Sequence, residues 1–215
     1  MRAAAGSGAV LSEHRRLEII ELGLQDFLDV WKLQKRLVRE RIEGSRPDTL
    51  ILVEHPPVYT RGTSARPRPV PSLPFPVHDV ERGGDITYHG PGQLVGYPIL
   101  HLGERGLKAG TYLRLLEGAL IASLAALDIP AERRAGWTGV WSGGLKLASI
   151  GVAVRGQTSF HGFALNVDPD LSHFAAISPC GLDPALMGSI ARLRPRTSMP
   201  EVRALVRDAL EERLA

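Results

Sequence analysis

The sequence predicts an α+β fold, in which a mixed, largely antiparallel β-sheet is covered by packed helices. Residues 24–40 and 111–127 repeat apolar side chains at the spacing of an amphipathic helix. Between and after them lie short apolar runs separated by glycine-rich turns, a pattern typical of strands joined by hairpins. Because a hairpin pairs its strands antiparallel, the central part of the sheet is predicted to be antiparallel.

In chain order, the first helix is predicted over residues 24–40, where charged side chains separate the apolar ones. The apolar run 49–53 predicts a buried strand, which a His-Pro-Pro sequence ends. Further strands are predicted over 86–88 and 94–100, on either side of a Gly/Pro turn. We interpret the Pro/Arg-rich stretch 66–76 as a surface loop within one domain.

The second half of the chain continues the alternation of helix and strand. A helix is predicted over 111–127, and a Ser-Gly-Gly turn then leads into a strand over 146–154. A second turn leads into a strand over 159–167. Ser198 and Glu201 have capping-box spacing ahead of an apolar-periodic segment, which predicts a C-terminal helix.

Length and composition favour one ordinary globular domain. The chain has 215 residues, and we expect residues 1–18 to be a disordered extension and 19–215 a single domain. Its single cysteine cannot form an internal disulfide, which favours a reducing compartment and therefore a cytoplasmic protein. We find no secretory signal and no apolar stretch long enough for a membrane span.

The charge pattern bears on possible partners. A net charge of +3 indicates a weak preference for acidic partners, whereas the dispersed lysines and arginines argue against nucleic-acid binding. The His, Cys and Asp residues show no metal-ligand spacing, so no metal site is predicted.

The glycine-rich segment 82–93, RGGDITYHGPGQ, is the most informative part of the sequence. Glycines let the backbone approach a ligand closely, although a tight hairpin with polar side chains explains a Gly-Gly pair equally well. No Gly-Lys-Ser/Thr follows, so the segment is not a P-loop, and it lacks the dinucleotide-binding spacing. Nucleotide binding therefore has no support from the glycine spacing.

Three side chains are candidates for chemistry, and each has an ordinary structural explanation. Cys180 stands between Pro179 and Gly181, but a lone cysteine is more often a small buried apolar residue than a nucleophile. Lys146 follows a glycine turn, where an exposed lysine is common. His89 lies within the glycine-rich segment, as either a residue that shapes a pocket or a general base.

The segment 82–93 resembles the signature of the lipoate-protein (octanoyl) transferases, the lipoate-protein ligase B family. Further ordered matches are the Glu-His-Pro-Pro-Val-Tyr run at 54–59, Gly-Val-Trp with Lys-Leu-Ala-Ser-Ile-Gly at 139–151, His-Gly-Phe-Ala-Leu-Asn-Val at 161–167 and Pro-Cys-Gly at 179–181. Together the matches cover roughly residues 22–181. The stretch 184–190 departs from the family pattern, which puts in doubt how the cysteine loop is supported.

The resemblance implies a fold similar to the biotin/lipoate protein ligase catalytic domain. It also implies transfer of an octanoyl group from octanoyl-acyl carrier protein to a lysine of lipoyl domains, through a cysteine thioester and with no cofactor. The acceptors would be lipoyl domains of 2-oxoacid dehydrogenases and the glycine cleavage H protein. Cys180 would be the nucleophile and Lys146 its partner, acting either as an ammonium that stabilises the thiolate or as an amine that accepts its proton.

The resemblance also assigns a substrate-binding set on three segments, although small residues there equally suit close packing of the sheet. The set is Arg82, Gly83, Gly84, Asp85, Ile86, Thr87, Tyr88 and His89, then Ser149, Ile150 and Gly151, then Gly162, Phe163 and Ala164. Two other functions are kept as alternatives. One is an ATP-dependent lipoate or biotin ligase, which needs an adenylate site and no nucleophilic cysteine; the other is a basic nucleic-acid-binding module.

Overall fold

The structure is a computed structural model that describes residues 17–65, 73–177 and 181–214. The strands are β1 (Leu17–Leu24), β2 (Asp48–Glu54), β3 (Val58–Arg61), β4 (Val77–Asp79), β5 (Ile86–His89), β6 (Gln93–Ile99), β7 (Glu132–Arg134), β8 (Trp137–Ser142), β9 (Leu145–Arg155) and β10 (Thr158–Asn166). The helices are α1 (Phe27–Ile42), α2 (Ala109–Ala125), α3 (Ile190–Leu193) and α4 (Met199–Leu214). Short 3₁₀ turns lie at Leu171–Ala176 and Pro184–Leu186.

A seven-stranded sheet with the order β1-β2-β6-β10-β9-β8-β7 forms the centre of the protein. Its first pair, β1 and β2, is parallel. The other pairs of this sheet are antiparallel. The prediction of a mixed, largely antiparallel sheet with packed helices is confirmed.

Helices cover both faces of the large sheet, which explains the unbroken apolar run 50–53 within β2. Leu50 and Leu52 point into one buried cluster together with apolar residues of α2 and α4. Ile51 and Val53 point into a second cluster on the opposite face, together with α1. A strand buried on both faces has no polar side to alternate with.

A small three-stranded sheet with the order β4-β3-β5 lies between β2 and β6 in the chain. Its strands are only three or four residues long. The aromatic side chains Tyr59 and Tyr88 pack with Phe174, Ile177 and Met187 in a separate cluster. The small sheet is therefore attached to the segments on either side of residues 178–180.

The first helix begins later than its periodicity predicts. Asp26 caps α1, because its Oδ1 accepts hydrogen bonds from the backbone N–H groups of Leu28 at 2.8 Å and Asp29 at 3.2 Å. The residues before the cap form β1, which the sequence reading did not predict. This strand starts at Leu17, two residues inside the segment expected to be an extension, and residues 1–16 lie outside the described part of the chain.

The predicted capping box of the last helix is confirmed. Ser198 Oγ accepts from the Glu201 backbone N–H at 3.3 Å, and the Glu201 carboxylate accepts from the Ser198 N–H at 3.4 Å. Within the described ranges, no helix is both long enough and apolar enough to cross a membrane.

Candidate active site

Lys146 is a buried lysine near the start of β9. Its side chain is only 3 % exposed, and its Nζ lies 5.7 Å from the centre of the Trp141 ring on the neighbouring strand β8. Gly139 makes room for it, because a Cβ there would lie 2.8 Å from Lys146 Cε. Lysines are rarely buried to this extent outside special environments, so this position is a candidate for chemistry.

Lys146 lies on the wall of a cavity between the large sheet and residues 82–84. The space inside it is about 540 Å³, a volume that includes solvent at its open mouth. Phe27 from the first turn of α1 and Val80 from the small sheet's edge also line it. It is therefore assembled from both sheets and α1.

Small residues of β9 and β10 form the floor of the cavity. Ser149 on β9 pairs with Ala164 on β10, and Ala164 pairs in turn with Val95 on β6, so the three form one row across the sheet. Gly151 and Gly162 form the adjacent pair. Two strand spacings make such a row about 10 Å long. The floor offers an extended, mostly apolar surface beside Lys146.

The glycine-rich segment forms the opposite wall and packs directly on β9. The Gly83 N–H donates to the Val152 carbonyl at 3.0 Å, and a Cβ at Gly151 would lie 2.8 Å from the Gly83 oxygen. Arg82 holds the segment to β3, since its Nη2 donates to the Thr60 carbonyl at 2.7 Å and to Thr60 Oγ1 at 2.9 Å. Gly151 is therefore required where the two backbones meet, whereas a Cβ at Gly83 would make only an ordinary contact, 3.8 Å from the Val152 oxygen.

His89 is buried and both of its ring nitrogens have protein partners. Nδ1 donates to Gln93 Oε1 at 2.7 Å, and Nε2 lies 3.4 Å from Thr60 Oγ1, which can donate to it. Burial, with a contribution from neighbouring His55, lowers the pKa of His89 to about 3, so the ring is neutral at physiological pH. These contacts favour a structural, pocket-shaping role over that of a general base.

Most of the predicted substrate-binding residues meet at this cavity. Those that line it are Arg82, Gly83, Gly84, Thr87, His89, Ser149, Ile150, Gly151, Gly162, Phe163 and Ala164. The described residues that form its wall do not include Asp85, Ile86 or Tyr88. Ile86 and Tyr88 pack instead in the aromatic cluster with Tyr59, and Asp85 Oδ1 accepts from the Ile86 N–H at 2.7 Å.

Gly162 is also required for packing, independently of any ligand, because a Cβ there would lie 2.1 Å from the Gly96 oxygen of β6.

Cys180, the predicted nucleophile, lies outside the described residues. Of the described residues around it, Ile177 and Leu182 are buried and Gly181 is exposed.

Six residues of the cavity lining were not predicted from the sequence. The additional residues are Phe27, Thr60, Val80, Val95, Tyr97 and His161. His161 carried a usable signal, because it begins the His-Gly-Phe-Ala-Leu-Asn-Val match. Its backbone has φ of 55°, unusual for a residue with a side chain, and its N–H donates to Gln34 Oε1 at 2.9 Å.

Comparison with known proteins places the chain in a family. A family model described as "Lipoyl protein ligase A/B catalytic domain" matches residues 26–211. The octanoyltransferase of Gloeobacter violaceus is 48% identical, over 89% of this chain and 87% of the relative. That of Syntrophotalea carbinolica is also 48% identical, over 88% of this chain and 90% of the relative. The chain belongs to the octanoyltransferases of the lipoyl protein ligase A/B family. As an octanoyltransferase it is an acyltransferase.

Solved structures agree on the octanoyltransferase fold. A putative lipoate protein ligase from T. acidophilum has a TM-score of 0.70 at 15% identity, covering 92% of this chain and 84% of that one. A lipoate-protein ligase A bound with ATP has a TM-score of 0.68 at 16% identity, covering 93% of this chain and 85% of that one. The biotin protein ligase of Aquifex aeolicus has a TM-score of 0.53 at 14% identity, covering 92% of this chain and 68% of that one. The predicted similarity to biotin/lipoate ligase catalytic domains is confirmed for the fold.

Proposed function

We propose that this octanoyltransferase moves an octanoyl group from octanoyl-acyl carrier protein to a lysine of lipoyl domains, through a thioester on Cys180. The acceptors are the lipoyl domains of 2-oxoacid dehydrogenases and the glycine cleavage H protein. The observation that carries the proposal is the buried Lys146 beside a floor of small residues, in a chain whose relatives are octanoyltransferases.

Contacts of the neighbouring segments support a pairing of Cys180 with Lys146. Ile177, on one side of the undescribed residues, packs in the same cluster as Met187, which comes after them. Met187 forms a parallel bridge with Lys146, and the Gly188 N–H donates to the Lys146 carbonyl at 3.0 Å. The segments before and after Cys180 are thus both connected to the start of β9.

In the first half-reaction the Cys180 thiol loses its proton to the Lys146 amine. The thiolate attacks the carbonyl carbon of the octanoyl thioester, a new carbon–sulfur bond forms, and the bond to the carrier's phosphopantetheine sulfur breaks. The ammonium of Lys146 returns the proton to the leaving sulfur. The products are the free carrier thiol and octanoyl-Cys180.

In the second half-reaction the ε-amine of the lipoyl-domain lysine attacks the Cys180 thioester. An amide bond forms, the carbon–sulfur bond breaks, and Lys146 takes the proton that the attacking nitrogen loses. That proton then returns to the Cys180 sulfur, which restores the enzyme. Because an amide is more stable than a thioester, the transfer needs no ATP.

The floor of the cavity supports a medium-length acyl chain as the transferred group. The row from Ser149 to Val95 crosses two strand spacings, about 10 Å, which suits an extended chain of medium length. Ala164 in the middle of the row and Gly162 beside it keep the floor low. Phe27 and Val80 enclose the chain from the α1 and small-sheet sides.

Intact mass spectrometry after mixing with octanoyl-acyl carrier protein tests the proposal. We expect one octanoyl adduct on the native chain and none on Cys180→Ala, because this cysteine is the only one in the sequence. Adding a lipoyl domain should discharge the adduct and octanoylate the domain without ATP. An adduct that survives Cys180→Ala would place the nucleophile elsewhere.

Replacing octanoyl-acyl carrier protein with free octanoate and ATP distinguishes the transferase from an ATP-dependent ligase. The ligase structures share the fold at low identity, which supports the fold alone. With free octanoate, ATP and a lipoyl domain, we expect no product from this protein. Octanoylation that strictly requires ATP would contradict the transferase mechanism.

A further inference from the structure

Two buried amide side chains, Gln93 and Asn166, are not explained by the cavity. Gln93 ends the glycine-rich segment and is 1 % exposed, and Asn166 ends β10 and is 2 % exposed. Neither is among the described residues that line the cavity. Burying an amide is costly unless its hydrogen bonds are satisfied, so their partners show what they do.

The two amides form one continuous chain of hydrogen bonds from the glycine-rich segment to the strand of Lys146. His89 Nδ1 donates to Gln93 Oε1 at 2.7 Å, and Gln93 Nε2 donates to Asn166 Oδ1 at 2.9 Å. Asn166 Nδ2 donates to the Gly188 carbonyl at 2.8 Å, and the Gly188 N–H donates to the Lys146 carbonyl at 3.0 Å.

The chain of bonds has a single polarity, which fixes both amides. Gln93 Nε2 also donates to the Tyr88 carbonyl at 3.2 Å, so its oxygen must face His89. Asn166 Nδ2 must face the Gly188 carbonyl, which can only accept. Rotating either amide by half a turn would bring two donors or two acceptors together.

Gly188 is the point at which the segment following Cys180 touches the lysine strand. A Cβ at Gly188 would lie 2.8 Å from Leu145 Cβ, so this contact is close-packed. The adjacent Met187 is the residue that bridges to Lys146. The Gly188 carbonyl accepts from the Asn166 side chain, and the Gly188 N–H donates to the Lys146 carbonyl.

We propose that Asn166, oriented by Gln93, is a positioning residue that holds the segment after Cys180 in register with Lys146. It acts on the separation of the two reacting side chains and touches neither substrate nor the reacting atoms. The inference rests on the proposed function, in which Cys180 and Lys146 exchange a proton. A small displacement of two groups that exchange a proton has a large effect on rate.

The test uses Asn166→Leu, which keeps the approximate size of the side chain and removes both of its hydrogen bonds. Asn166→Ala replaces it if leucine is not accommodated. We expect the rate of Cys180 acylation by octanoyl-pantetheine to fall about 10- to 100-fold with little change in KM. The pH midpoint of alkylation by iodoacetamide should also rise toward about 8.5, the value of an ordinary thiol. Since the chain has one cysteine, alkylation reports on Cys180 alone.

Ser123→Ala is the matched control. Ser123 on α2 is buried, and its single hydroxyl proton is shared between two carbonyls, that of Ala119 at 2.9 Å and that of Leu205 on α4 at 3.2 Å. We expect it to lower the melting temperature and leave the alkylation profile unchanged. If Asn166→Leu lowers only the melting temperature, with unchanged acylation and alkylation, its role is structural and the proposal is wrong.

A double-mutant cycle tests the role of Gln93. Gln93→Met should slow acylation in the native background and have no further effect in Asn166→Leu, because Gln93 acts through Asn166. Equal effects in both backgrounds would overturn the proposed order of action. If octanoyl transfer itself were misassigned, the native chain would form no octanoyl adduct. The pH midpoints of alkylation would still show whether Asn166→Leu changes the reactivity of Cys180, so the two failures are distinguishable.

Discussion

The side chain of Lys146 is buried where an ammonium is poorly solvated. Replacing it with an uncharged side chain should therefore affect the rate of acylation without lowering the stability of the fold. We expect Lys146→Met to slow acylation of Cys180 by about 100- to 10,000-fold, the usual contribution of a positioned acid–base group. The fold should be retained, because methionine matches the length of the side chain and has no charge to bury. The rate of adduct formation and the melting temperature measure the two effects.

Lys32→Met is the control for this change, because Lys32 is 72 % exposed and forms an exposed ion pair with the neighbouring Asp29 at 3.1 Å. It should leave acylation unaltered. A near-normal rate in Lys146→Met would mean that another residue handles the proton. His89 is a poor substitute, since both of its ring nitrogens already have protein partners.

The importance of single residues could be predicted only partly from the sequence. Resemblance singled out Lys146 and Gly151, but the burial of Lys146 and the contact of Gly151 with Gly83 required the fold. Gly162 was expected in the substrate floor and proves to be required by β6 as well. Asn166 and Gln93 belong to segments that the family resemblance identified, but no role was predicted for either residue. Their hydrogen bond connects residues that are 73 positions apart in the sequence.

At the scale of elements, the hairpin of β9 and β10 should determine acyl-chain length. Ala164 is the middle residue of the row from Ser149 to Val95, so Ala164→Val raises the floor halfway along it. We expect octanoyl transfer to fall at least 10-fold, while butanoyl transfer changes little, because a short chain ends before the added methyl groups. The ratio of acylation rates with octanoyl- and butanoyl-pantetheine measures the effect.

Ala153→Val in the same hairpin is the control for packing strain. Ala153 pairs with Phe160 and does not belong to the described cavity lining. Both variants add the same two methyl groups to the hairpin, so comparing their melting temperatures separates packing strain from an effect on the acyl chain. Only Ala164→Val should change the ratio of rates, and an unchanged ratio there would show that the acyl chain lies elsewhere.

Elements with a clear periodicity or with turn residues beside them were predictable, and elements without either signal were not. The helix α2 and the hairpin β9–β10 have enough residues for their periodicity or turn chemistry to identify them. Strands β4 and β7 have three residues each, too few for a pattern. Strand β1 pairs in parallel with β2 across the whole of α1, a long-range contact that no turn signal announces.

At the scale of the whole molecule, the cavity exists because the small sheet and residues 82–84 lie over the face of the large sheet, with Gly83 bonded to Val152 of β9. Its lining extends from Phe27 at the start of α1 to Ala164 on β10. Such a site cannot be assembled from local sequence, since every wall comes from a different element. The recognised family segments were informative because residues 82–84 supply one wall of the cavity and residues 149–151 and 162–164 supply its floor.

The same arrangement buries three histidines, and this should make the fold sensitive to acid. Burial lowers the pKa of His89 to about 3 and those of His55 and His161 to about 4. In the unfolded chain these groups titrate near pH 6.5. Above about pH 6.5 the rings are neutral in both states, so the free energy of unfolding does not depend on them. As the pH falls below about 6.5, only the unfolded chain gains protons, and the free energy of unfolding decreases.

Each histidine contributes a slope of about 1.4 kcal/mol per pH unit between pH 6.5 and its folded pKa. We expect the urea midpoint to fall steeply from pH 6.5 to 5. His55→Gln should make the decline shallower, because it removes one of the three rings that only the unfolded chain protonates in this range. Ser123→Ala should lower the midpoint equally at every pH. If His55→Gln leaves the slope unchanged, acid sensitivity arises from groups outside this buried cluster.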